Sequence, residues 1–141
     1  MRIRKFVLNL PGPFSYCDCL DQCSNLQLEH ALPKSLLKKS LSGKKFLLAE
    51  ADPHNLFSCC QKINRKKSNL ILLEDFSVNQ HNGRLTRACL YMNSKYDLEL
   101  NSEWIHRWRN HSLLYPPESS EYLRNDIISE RTGVRNKFIE F

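Results

Sequence analysis

The order of its patterns constrains this chain most: strand-like alternation comes early, and helical spacing fills the remainder. Leu26-Gln27-Leu28-Glu29-His30 alternates apolar and polar residues, the period-two mark of a half-buried strand with Leu26 and Leu28 on one face. Phe46–Ala49 reads as a second strand. Asp52-Pro53-His54-Asn55 marks a turn. Beyond it Leu56, Cys59, Cys60 and Ile63 fall at i, i+3, i+4 and i+7, which predicts a helix. Asn82-Gly83 opens another, with Leu85, Ala88, Cys89, Met92 and Tyr96 on one stripe. Asn101 or Ser102 can cap the next, whose Trp104, Ile105 and Trp108 face inward. A third comes after Ser119 and Ser120, carries Leu123, Ile127 and Ile128, and ends at Gly133. Strands succeeded by helices predict an α+β fold. Residues 1–25 read as a loop-rich segment with a turn at Pro11-Gly12-Pro13, and 32–44 as a basic loop or short helix.

The 141 residues suffice for a single domain, and 41% hydrophobic residues support a packed core. The longest apolar runs, Phe46–Ala49 and Leu70–Leu73, fall far short of the roughly 18–20 residues that a membrane span needs. Lys and Arg number 21 against 15 Asp and Glu, a formal charge of +6, which favours a polyanionic partner, nucleic acid first. Cysteines stand at 17, 19, 23, 59, 60 and 89, without the paired CxxC spacing of a structural zinc site. Reduced thiols, a bridge and a zinc ion all stay open for them. The basic start reaches Pro11 with too short and too polar an apolar stretch for a signal peptide. An intracellular chain is therefore expected, cytosolic or viral within a host cell, rather than a periplasmic or secreted one.

The sharpest chemical feature is Glu29-His30 at a strand's end, succeeded by Asp52-x-x-Asn55 and then Asn64. Together they offer an imidazole, a carboxylate and a carboxamide to one point. Phosphodiester hydrolysis needs a base for water and a divalent cation for the charge on the phosphate. Neutral imidazole, with a reference pKa of about 6.5, suits the first task. Oxygen donors from Glu and Asn suit Mg²⁺, with Mn²⁺ or Ca²⁺ as substitutes.

Four stretches occur in an order that resembles bacterial endonuclease I: Leu28-Glu29-His30-Ala31-Leu32-Pro33, Asp52-Pro53-His54-Asn55-Leu56, Ile63-Asn64 with Ser68-Asn69, and Gly83-Arg84-Leu85-Thr86-Arg87-Ala88-x-Leu90-Tyr91-Met92. Arg124-Asn125-x-Ile127 and Thr132-Gly133-x-Arg135-Asn136-x-Phe138-Ile139 resemble that family's C-terminal signature. The resemblance spans residues 26–141. It implies a ββα-metal (His-Me finger, HNH-like) unit, a β-hairpin plus helix over 26–69, embedded in a mainly helical domain whose C-terminal half covers 82–141. It further implies a nuclease of low sequence specificity, with DNA as substrate, RNA as a second one, and 5′-phosphate products. By position, His30 is the implied general base, Glu29 and Asn64 the ligands of one Mg²⁺, and Asn55 a structural member that keeps His30 aimed. Arg87 is expected to face the site or a buried acidic partner. Arg84 and the Lys62, Arg65, Lys66 and Lys67 group are candidates for phosphate contacts. The segment between the first two motifs is shorter than in the family. Lys44 and Lys45 are the cations it offers where relatives carry an arginine.

A site-selective HNH nicking enzyme and a non-catalytic DNA-binding module are the rival readings. Unselective cutting would endanger the enzyme's own cell, which implies an inhibitor protein, a restricted target or a viral role in degrading host nucleic acid. One finger holds a whole site, which suits a monomer without a membrane partner.

Overall fold

The computed structural model describes residues 2–11, 26–60 and 80–140. Asn64, Lys62, Arg65, Lys66 and Lys67 lie outside them, as do Cys17, Cys19, Cys23 and the apolar run at 70–73. Among the described residues the architecture is α+β, mostly helical with one two-stranded antiparallel sheet. Helix α1 covers Arg2–Leu8 and strand β1 Leu26–His30. Helices α2 (Lys34–Ser40) and α3 (Gly43–Glu50) and a 3₁₀ turn (Pro53–Asn55) precede strand β2, Leu56–Cys60. Helices α4 (Gln80–Tyr96), α5 (Ser102–Leu114) and α6 (Ser119–Thr132) complete the fold.

Three expectations are corrected. Residues 2–8 form a helix rather than part of a loop-rich segment. Seven residues are too few to hold a helix alone; α1 is held by packing on the β-ribbon, with Val7 buried and Arg4 donating to the Leu26 carbonyl at 2.9 Å. Phe46–Ala49 lies in α3 and is not a strand. Its Lys-Lys-Phe-Leu-Leu-Ala stretch contains no β-branched residue and is rich in good helix formers. Leu56–Cys60 is β2, where the spacing predicts a helix. Leu56, Phe57 and Cys59 are all buried, so both faces of the strand are covered and no alternation survives in the sequence.

β1 and β2 pair antiparallel, with His30 opposite Leu56, Glu29 opposite Phe57 and Leu26 opposite Cys60. Their connection is the α2–α3 insert and the 3₁₀ turn, rather than a tight hairpin loop.

The three later helices fall where the spacing predicts. Leu85, Ala88, Cys89 and Met92 are fully buried, as the stripe requires. Burial in fact runs without break from Gly83 to Met92, so α4 is the central helix and its polar residues need internal partners. α4 packs along α5, where Trp108 is buried and Trp104 lies against it at 6.3 Å between ring centroids. A Cβ on Gly83 would sit 2.5 Å from the Tyr115 carbonyl oxygen, so only glycine allows α4 and the end of α5 to approach this closely. Asn101 caps α5 by accepting from the Glu103 amide at 2.8 Å. Gly133 ends α6 in the left-handed region, φ 78°, with its N–H on the Ser129 carbonyl at 2.8 Å. Among the described residues no helix is long and apolar enough to cross a membrane.

Candidate active site

β1 delivers Glu29 and His30 to one end of the ribbon. Strand alternation sends them to opposite faces. Glu29 is buried, and His30 is half-buried. The His30 Nε2 lies 2.9 Å from the Glu50 carbonyl oxygen, at the end of α3. A carbonyl only accepts, so Nε2 carries the proton, and the lone pair of the neutral ring is on Nδ1.

The turn before β2 grips the residues just after His30. Asn55 is fully buried, and its side chain bonds both backbone groups of Leu32: Oδ1 accepts from the amide at 2.8 Å, and Nδ2 donates to the carbonyl at 3.1 Å. The Ala31 amide donates to the Asn55 carbonyl at 3.0 Å. The chain leaving His30 is thus sewn to the turn by three hydrogen bonds.

The turn itself is built on Asp52. Its Oδ1 accepts from the His54 amide at 2.9 Å, while Oδ2 accepts the hydroxyls of Tyr91 at 2.8 Å and Tyr96 at 2.7 Å. Three donors offset the cost of burying this carboxylate. Burial and the Asp52 charge together hold both tyrosines protonated, far above the ordinary phenol range. His54, also buried, donates from Nε2 to the Val134 carbonyl at 2.7 Å and tilts against Tyr91. Among the described residues its Nδ1 has no hydrogen-bond partner. Burial pushes its pKa below 6.5, against the opposing pull of the Val134 bond and of Asp52.

Arg124 of α6 closes the turn from the other side. Its Nη2 donates to the carbonyls of Pro53 at 2.8 Å and Leu56 at 2.5 Å, and its guanidinium stacks 4.1 Å from the Phe57 ring centroid. Burial draws this guanidinium down to about 10, Glu121 pulling the other way, so it is charged at neutral pH.

The sequence leaves two settings open for Arg87, and the structure has the buried acidic partner. Nε and Nη2 donate to the two Glu121 carboxylate oxygens at 2.6 and 2.7 Å, and Nη1 to the carbonyls of Ser112 at 3.0 Å and Tyr115 at 2.8 Å. The guanidinium therefore binds α4 to α5 and α6 and is turned to neither His30 nor Asn55. Arg84, expected at phosphate, is largely buried on the same helix. Lys44 and Lys45 stand exposed in the first turn of α3.

Of the candidates within the described residues, the fold brings Asn55 to the backbone just after His30, while Glu29 precedes His30 in β1 on the opposite face of the strand. Arg87 is elsewhere. Asp52, Arg124 and His54 are the members to which sequence reasoning assigns no role. For Arg124 a signal exists in the sequence: Glu121, Arg124, Asn125 and Ile128 fall at i, i+3, i+4 and i+7 and form the buried face of α6.

For a hard cation, the Glu29 carboxylate is a fitting oxygen donor, and Mg²⁺ accepts few protein ligands because it retains waters. Among the described residues no three His, Cys, Asp or Glu side chains gather where they could hold a metal. The second expected ligand, Asn64, is outside that set. No family model and no curated protein matches this chain.

Proposed function

We propose that this chain is a metal-dependent endonuclease similar to bacterial endonuclease I, hydrolysing phosphodiester bonds of DNA with little regard to sequence. The finger would be ββα-metal in type: the β1–β2 ribbon would be its first part, and the rest of the expected 26–69 unit, after β2, lies outside the described residues. The observation that carries the reading is the held imidazole. His30 ends a strand, its Nε2 proton is committed to the Glu50 carbonyl, and the backbone just after it is clamped by Asn55. That leaves Nδ1 as the ring's basic nitrogen, positioned without cost at the moment of reaction.

In the proposed reaction His30 Nδ1 takes a proton from water as its oxygen attacks phosphorus. The P–O3′ bond breaks, and the departing 3′ oxygen takes a proton from solvent water, leaving a 5′-phosphate and a 3′-hydroxyl. Glu29 and Asn64 would hold one Mg²⁺, which when bound neutralises charge on the phosphate and the leaving oxygen. Exposed Lys44 and Lys45, with Lys62, Arg65, Lys66 and Lys67, are the proposed backbone contacts, and such contacts carry no base information.

The test is digestion of plasmid, single-stranded DNA and RNA by the purified protein with Mg²⁺ or with EDTA. Mg²⁺-dependent loss of plasmid to small fragments is the expected result, and His30→Ala should lower the rate by about 10²–10⁴-fold. A wild-type rate in His30→Ala removes the imidazole from the chemistry. One discrete product points to a site-selective nickase, and binding without cleavage to a non-catalytic module.

A further inference from the structure

We infer that Arg124, on a helix distant in sequence, is a positioning residue for His30. The inference rests on the reading of His30 as the base. Residues 49–56 are one hydrogen-bonded run: the Asp52 amide bonds the Ala49 carbonyl at 3.2 Å, and the Asn55 amide bonds the Asp52 carbonyl at 3.0 Å. Both supports of His30 belong to that run. The Glu50 carbonyl holds its ring, and Asn55 holds the backbone after it. The run therefore behaves as a block, and the position of the imidazole tracks the position of the block.

Among the described residues, four groups hydrogen-bond the block to the later part of the chain: Tyr91 and Tyr96 on Asp52, the Val134 carbonyl on His54, and Arg124. Arg124 differs from the others in what it grips. A single nitrogen, Nη2, bonds a carbonyl on each side of Asn55, those of Pro53 and Leu56. Leu56 is also the residue directly opposite His30 in the ribbon. One guanidinium thus sets both the turn that carries Asn55 and the strand position that faces the base. Its buried place, stacked on Phe57, keeps it from any substrate, so it acts through His30 and not on phosphate.

The experiment reads His30 directly. Long-range ¹H–¹⁵N correlation spectra report which ring nitrogen carries the proton, with the His30 signals identified by their loss in His30→Gln. The neutral form of the wild-type ring is expected wholly as the Nε2–H tautomer. In Arg124→Gln the Nδ1–H form should rise to a comparable population. In Arg124→Lys, which keeps a cation and can reach one of the two carbonyls, the mixture should be intermediate. Loss of stability alone would not do this, because the molecules still folded would retain the wild-type ring. In parallel, kcat on DNA should fall at least 10-fold in Arg124→Gln with KM within about twofold, and Arg124→Lys should recover part of it. Should Arg124→Gln not fold, Arg124→Lys decides by the same spectrum. A His30 tautomer unchanged in a folded Arg124 variant overturns the inference. If the wild-type protein does not cleave at all, the nuclease reading falls, while the tautomer populations still decide what Arg124 does.

Discussion

His54 shows how much one unsatisfied atom can reveal. Its ring lies within the block behind His30, bonded through Nε2, and among the described residues nothing accepts the buried N–H that protonation would add at Nδ1. Its folded pKa lies below the unfolded value of 6.5, so in acid the unfolded chain takes up a proton that the folded one resists. This contribution to stability is complete above that value and drains away as pH falls through and below it. In His54→Gln, which retains a donor for Val134, the urea midpoint should therefore depend less on pH between 7 and 5 than in the wild type. Equal slopes for the two proteins would show that His54 is not the acid-sensitive group.

At the scale of elements, what can be read in the sequence depends on how many sides of an element are covered. α5 packs one face, and α4, though covered all round from Gly83 to Met92, is long enough to keep a helical spacing, so Leu85, Ala88, Met92 and Trp108 are identifiable from the sequence. Local cap chemistry makes the start of α5 and the end of α6 equally plain. β2 escapes such a reading because both faces are buried. α3 escapes it for the opposite reason: Leu47 and Leu48 are 64% and 66% exposed, so its apolar residues do not mark the face that packs. On α6 the buried stripe is polar, and Leu123, which spacing singles out, is 52% exposed. At the candidate site Glu29, His30 and Asn55 stand out in the sequence because they fall in short motifs. The role of Arg124 is not, since its partners are backbone carbonyls that carry no residue identity. Where α4 meets α5, Gly83→Ala tests the close approach at Tyr115. The usual helix-propensity gain of an alanine should be outweighed, giving a net loss of about 1–3 kcal/mol in urea unfolding. A stabilised Gly83→Ala would mean that the helices can part cheaply.

For the whole molecule, the organising interaction is the Arg87–Glu121 pair, which fastens the central helix to both of its successors. Both side chains are buried, so breaking the pair strands a charge rather than merely losing a contact. Glu121→Ala should destabilise by about 3–5 kcal/mol, and the double replacement Arg87→Met with Glu121→Leu should recover much of that. Chemical denaturation of the single and double variants measures it. A Glu121→Ala protein within about 1 kcal/mol of the wild type would show that the guanidinium is satisfied by its carbonyl partners alone.

The block behind His30 is assembled from residues far downstream: Arg124 lies 71 positions after Pro53, and Val134 lies 80 after His54. A nascent polypeptide leaving the ribosome thus displays its imidazole long before the groups that fix it have been translated. Under the nuclease reading, the chain is inert until those groups have emerged, beside the messenger and the ribosomal RNA that produce it. Competence arrives only with completion of the last helix and the residues after it.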